Sequence, residues 1–147
     1  MSHDLNPGDD PCPRHVLEVC LYVSDLEAAE RFYSGVLGLG VFSKVKGRHV
    51  FYKLDKQMLL IFNPDETSDK ISDDVKNPVP VHGAHGPGHV CFSASGEEIE
   101  KWSKRLKDKG VSIEVDFKWP GGGRSIYFRD PAGNSLEFAE PRIWGFS

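Results

Sequence analysis

The stretch Glu18-Val-Cys-Leu-Tyr-Val-Ser24 returns in kind as His89-Val-Cys-Phe-Ser-Ala-Ser95, at a constant offset of 71 positions. Cys20 falls on Cys91, Ser24 on Ser95 and Glu27 on Glu98, while Glu18 takes the place of His89. Ser24 with Glu27, and Ser95 with Glu98, each place a serine three residues before a glutamate, the capping-box signature of a helix start. Each copy therefore reads as a strand running directly into a helix. Leu26, Ala29, Tyr33, Val36 and Leu37 follow at three- and four-residue steps, as do Ile99, Trp102 and Leu106. Gly38 and Gly110 then stop the two helices.

Strand-like runs come next, at 41–46, 49–54 and 57–62 in the first half and at 112–118, 124–129 and 135–139 in the second. Turns at Asp55-Lys56 and at Asp130-Pro-Ala-Gly-Asn134 make hairpins of the last two in each half. The chain is thus α+β, a βαβββ unit used twice, over 14–64 and 88–141. A linker rich in Asp, Ser, Pro and Gly joins the units at 65–87, and tails occupy 1–13 and 142–147.

Composition sets the outer bounds. At 147 residues, 39% hydrophobic and 11% aromatic, the chain is sized for one domain with a real core. Eighteen Lys plus Arg against 22 Asp plus Glu give a net charge of −4, and no basic cluster is interleaved with aromatics, which argues against nucleic acid and anionic membrane as partners. The longest uncharged apolar run, Met58–Phe62, is too short for a bilayer, and 1–13 has no secretory apolar stretch, so a cytoplasmic protein is expected. Cys12, Cys20 and Cys91 show no CxxC spacing and indicate neither a disulfide framework nor a zinc ribbon.

Strand parity carries the chemistry. In each leading strand the helix must cover the more apolar face, which places Val19, Leu21, Val23, Val90 and Phe92 under helices. Glu18, Cys20 and Tyr22, and likewise His89, Cys91 and Ser93, then face the other way. In the last strand Glu137 alternates against Leu136 and Phe138 and joins them. If the two sheets curl toward each other, Glu18, His89 and Glu137 converge, and two carboxylates with an imidazole in one cup call for a divalent cation. Glu137 has alternative partners in Arg124 and Arg129. His49, His82 and His85 are candidate supporting or substrate groups, and Gly121-Gly-Gly123 reads as a weak phosphate cradle or a flexible lip.

These residues resemble a family. Leu17-Glu-Val-Cys-Leu-Tyr-Val-Ser-Asp-Leu26, Arg31-Phe-Tyr33 with Val36-Leu-Gly-Leu39, Gly88-His89, and Tyr127-Phe-Arg-Asp-Pro-Ala-Gly-Asn-Ser-Leu-Glu137 look like the vicinal oxygen chelate superfamily, over 14–141. That group includes glyoxalase I, fosfomycin-resistance thiol transferases, extradiol dioxygenases and bleomycin-binding proteins. The resemblance implies two βαβββ modules forming a cup-shaped mixed sheet around one divalent metal, often completed across a homodimer. Its ligand positions fall on Glu18, a residue near Leu59 or Leu60, His89 and Glu137. Glu18 stands where His or Gln is more usual, and leucine cannot bind a metal.

The expectation is a metal-dependent lyase or isomerase of the glyoxalase type, acting on a small molecule that chelates the ion through neighbouring oxygens. Glu18, His89 and Glu137 hold Zn, Ni, Mn or Fe(II) and leave coordination positions open, the pattern of a catalytic site. Glu137 and Tyr127 are the catalytic candidates, with Tyr22, Arg48, Phe51, Trp119 and Arg124 around the substrate. Tyr127, ten residues before Glu137, is placed like the active-site tyrosine of extradiol dioxygenases, which makes ring cleavage the second reading. A metal-free module of the bleomycin-resistance kind is the third, with Tyr22, Phe51, Trp119, Tyr127 and Trp144 as aromatic walls.

Overall fold

Asp25, one residue after the expected serine, caps the first helix in the computed structural model, which describes residues 10–69 and 76–147. Its carboxylate accepts from the Ala28 backbone at 3.0 Å, so the helix begins at Leu26 and the Ser24/Glu27 box does not form. In the second copy the Ser95/Glu98 box forms as read, with both reciprocal hydrogen bonds present. The elements run β1 (Glu18–Tyr22), α1 (Leu26–Gly35), β2 (Val41–Val45), β3 (His49–Lys53), β4 (Met58–Phe62), β5 (His89–Ser93), α2 (Gly96–Asp108), β6 (Val115–Lys118), β7 (Arg124–Arg129) and β8 (Ser135–Ala139). Short 3-10 turns follow β4 at Pro64–Glu66 and β8 at Pro141–Trp144. Positions 1–9 of the expected tail and 70–75 of the expected linker lie outside the described residues.

The βαβββ repeat is present twice, as two four-stranded sheets ordered β1-β4-β3-β2 and β5-β8-β7-β6. In each, the leading strand lies at an edge and pairs in parallel with the last, the other pairings being antiparallel. The parallel pairs put Cys20 beside Leu60 and Cys91 beside Glu137.

Parity then decides what is buried. Leu21, Val23, Val50, Tyr52, Leu59 and Ile61 of the first module, and Ile126, Phe128, Leu136 and Phe138 of the second, enter a single core with Ala29, Phe32, Tyr33, Ile99 and Leu106 from the helices. Each large apolar side chain fully buried contributes about 1.5–3 kcal/mol, so the shared core outweighs what one sheet could assemble. Phe32 of α1 reaches Phe128 of the other sheet, ring centres 6.3 Å apart. Arg105 of α2 donates to the Val36 carbonyl at 2.7 Å, a cation placed at the electronegative end of α1. Val19, expected under a helix, is 37% exposed, because at the start of β1 it faces an open groove, whereas Leu21 on the same face is buried. With Val90, Phe92 and Trp102 it lines a groove of about 1130 Å³ between the modules.

The triple glycine is a structural turn. Trp119 and Gly123 are bridged by a backbone hydrogen bond of 2.8 Å, and Gly122 and Gly123 both have φ of 97°. A Cβ on Gly123 would stand 2.5 Å from the Ile143 side chain, so the end of this loop is packed against the final 3-10 turn. Gly123→Ala is expected to destabilise by about 2 kcal/mol through strain and overlap. Gly121→Ala, where a Cβ meets nothing within 4 Å, is the control in the same urea titration.

Candidate functional site

The second sheet's outer face gathers the acid and imidazole groups. β8 is flanked by β5 and β7, so Glu137, in register with Cys91 on one side and Tyr127 on the other, is buried. His89 starts the edge strand β5, and its side chain stays 49% exposed. The Ser135 carbonyl can only accept, so His89 Nδ1, 2.9 Å away, carries the proton. In the neutral ring the Nε2 lone pair then faces Glu137 Oε1 at 3.4 Å. Among the described residues Glu137 Oε2 is buried with no partner at ordinary hydrogen-bond geometry, while the Cys91 thiol and the Tyr127 hydroxyl lie near enough to interact with the carboxylate.

Two acceptors facing each other, beside an orphaned carboxylate oxygen, fit a cation held between them. The fixed Nδ1–H is the arrangement that orients an imidazole toward a metal. The surroundings respond to the same negative charge. Burial and then Glu137 push the Cys91 thiol up to about 12, so it remains protonated at neutral pH. Tyr127 is likewise raised, by burial first and then by Glu137. Its ring lies 6.3 Å from that of His89 and 6.2 Å from that of Phe117. Trp119 closes this wall, its indole N–H donating to Ser125 Oγ at 2.9 Å.

Glu18 is not part of this group. It sits on the other sheet, and among the described residues no three His, Cys, Asp or Glu are placed to share an ion. Both sheets turn their helix-side faces to the common core, so the opposite faces look outward in different directions. The convergence expected from curling sheets is therefore absent within one chain, while His89, Glu137 and Tyr127 are brought together. Leu60, which occupies in the first sheet the place of Glu137 in the second, is buried and apolar.

Arg124 departs from its expected role at the substrate. It shares the helix-side face of β7 with Ile126 and Phe128, and its guanidinium is taken by Asp116, at 2.8 and 2.9 Å, and by Glu100. Neither arginine considered for Glu137 pairs with it, since Arg129 is bound to Glu114. Trp144 is 78% exposed, outside either aromatic cluster.

The first sheet's outer face carries an aromatic cluster. The His49 ring stacks on Phe51 at 3.9 Å with an 8° interplanar angle, and Phe62 presents its edge to both. His82 reaches over from the linker, 4.6 Å from Phe62 and hydrogen-bonded through Nδ1 to the Tyr22 hydroxyl at 2.7 Å. The Cys20 thiol donates to the same hydroxyl at 3.7 Å. Burial and then the Tyr22–Cys20 contacts push the Tyr22 phenol up to about 12. His85 pairs instead with Asp65 at the surface. His49 could be named from the sequence, but nothing in its flanking residues announced that it would be buried.

Burial, then Arg48, lower the His49 pKa to about 4. In the unfolded chain His49 binds a proton near 6.5, so its contribution to stability is complete above that pH and is lost as pH falls through the window down to about 4. The expected loss is about 2 kcal/mol, after discounting for water at the ring edge. Urea titrations at pH 7 and pH 4 check this, and His49→Gln should flatten the difference.

The chain matches the family model described as Glyoxalase/Bleomycin resistance protein/Dioxygenase superfamily over residues 14–138. The crystal structure of lactoylglutathione lyase from Agrobacterium tumefaciens aligns with a TM-score of 0.86 at 44% identity, covering 92% of this chain and 100% of that one. Metallothiol transferase FosB of Bacillus licheniformis is 31% identical over 116 residues, 78% of this chain and 68% of that protein. Glutathione transferase FosA of Serratia marcescens is 29% identical over 117 residues, 80% of this chain and 74% of that protein.

Proposed function

The chain belongs to the Glyoxalase/Bleomycin resistance protein/Dioxygenase superfamily, and from that premise we propose that it is a divalent-metal enzyme of the glyoxalase type, a lyase or isomerase acting on a small substrate with neighbouring oxygens. The observation that carries this reading is the pairing of a tautomer-fixed His89 with a buried Glu137 whose Oε2 has no partner at ordinary hydrogen-bond geometry among the described residues. The ion, when bound, supplies Lewis-acid polarisation of the substrate's oxygens.

The protein's own groups do the rest. His89 and Glu137 hold one side of the site, with His89 locked by the Ser135 carbonyl. Tyr127, kept protonated, donates a hydrogen bond toward a substrate oxygen, and Glu137 accepts a proton from the substrate carbon. A second copy of the chain supplies Glu18, because each chain presents its two outer faces in different directions.

Thiol transfer is the second reading, favoured by the FosB and FosA relatives. The likeness to lactoylglutathione lyase over the whole of that chain ranks the lyase or isomerase first. Metal analysis of untagged protein purified without chelator, beside His89→Ala, tests the premise common to both. About one ion per chain, lost in the variant, is expected. An unchanged content in the variant overturns the site. So does no metal in the wild type together with no thermal stabilisation by added Zn, Ni, Mn or Fe(II), and that result returns the protein to the binding-module class.

A further inference from the structure

Arg48 is a half-buried guanidinium with no carboxylate partner among the described residues. Arg124, Arg129 and Arg142 are spent on acids and Arg105 on the carbonyls that end α1, while Arg14 and Arg31 are exposed. Arg48 instead places Nη1 2.8 Å from His49 Nδ1 and lies over the Phe62 ring, 5.9 Å from its centre. A guanidinium only donates, so Nδ1 is the acceptor, His49 is neutral and its proton sits on Nε2. The imidazole is itself immobilised, sandwiched against Phe51 and edged by Phe62. A carboxylate in the place of His49 would orient Arg48 and cancel its charge. A neutral imidazole orients it and leaves the charge whole.

The position is as informative as the chemistry. His49 pairs with Phe62, and Phe62 pairs with Tyr22, at the end of the sheet opposite Glu18. Four residue steps along β1 separate Tyr22 from Glu18, a span of roughly 13 Å at the rise of a strand. We propose that Arg48, positioned by His49, is the anion-recognition end of the binding face and takes the carboxylate of an elongated substrate whose reacting end lies at the Glu18 row. This rests on the function proposed above for its location, and selects carboxylate-tailed substrates over short neutral dicarbonyls. Arg48 binds the ligand's carboxylate, and His49 is a positioning residue that holds the fork in the geometry for bidentate contact.

The probe is hexanoate, compared with its neutral counterpart hexanamide, titrated in buffer free of phosphate and sulfate and followed by the NMR shifts of the Phe51 and Phe62 backbone amides, which every variant retains. Wild-type protein should bind hexanoate at least about tenfold more tightly than hexanamide, the scale of one charge-assisted pair. Arg48→Met and His49→Phe should each erase that preference, His49→Phe keeping the ring stack and losing the acceptor. His49→Gln, whose carbonyl can accept from the guanidinium, should restore most of it, which a merely structural role for His49 would not produce. Equal binding of the two probes to wild-type protein overturns the proposal, as does an undiminished preference in Arg48→Met. The wild-type comparison stands even if a variant fails to fold. Repeating it on His89→Ala separates the two readings. A preserved preference there supports the anion site whatever the metal result, and a preference lost in a folded His89→Ala overturns it as an independent site.

Discussion

Asp130→Ala should lose about 4 kcal/mol of folding stability, the scale of removing a buried charge that satisfies several donors at once. Asp130 is 4% exposed, at the β7–β8 turn, and its carboxylate accepts from the Tyr33 hydroxyl at 2.8 Å, the Ala132 and Asn134 backbones at 2.9 Å and the Asn134 side chain at 2.9 Å. Alanine leaves all of these donors unpaired. Asn134 in turn accepts from the Gly88 backbone at 2.7 Å and donates to the Tyr22 carbonyl at 3.2 Å, so one turn ties the end of β1 to the start of β5. Tyr33→Phe, which deletes a single donor, should cost about 1–2 kcal/mol by comparison. Chemical denaturation of the three proteins checks both figures. A loss below 1 kcal/mol in Asp130→Ala would show that the turn does not clamp the modules.

The second large effect concerns assembly. Chains carrying Glu18→Ala or Glu137→Ala alone should retain metal at least about 100-fold more weakly, since even the groups that orient a ligand are worth 10–100-fold. Co-expressed one to one, they should recover about a quarter of wild-type occupancy and activity. Half of the random dimers are mixed, and each mixed dimer has one intact site of two when Glu18 comes from one chain and His89 with Glu137 from the other. Metal content per chain and turnover of the co-purified mixture give the reading. A mixture no better than either variant would mean that the site is not shared in this way.

Much of this was legible in the sequence because it is periodic. Alternation along β1 and β8 put Leu21 and Val23 inside and set Glu137 against Leu136 and Phe138, and register with two neighbours then accounts for its burial. The same alternation, applied to β7, sets Arg124 with Ile126 and Phe128 and removes it from the substrate's side. The helix start moved by one residue because Asp25 competes with Ser24 as a cap, a contest that spacing alone does not decide. What periodicity could not convey was how the modules lie on each other. That depends on single contacts such as Phe32 with Phe128 and Tyr33 with Asp130, which follow no repeat. The Arg48–His49 pair was hidden for a similar reason: adjacent residues on a strand point apart, and only a turn lets these two meet.

The Asn134 bridge also bears on the order in which the chain is made. The Tyr22 carbonyl emerges early from the ribosome and waits 112 residues for its partner. Before then the first sheet can close, since β4 ends at Phe62, but the faces of Phe32 and Tyr33 destined for the second module stay bare. A nascent chain halted in the linker therefore exposes apolar surface that only the last strands cover, and pairings so distant in sequence slow the final step of folding.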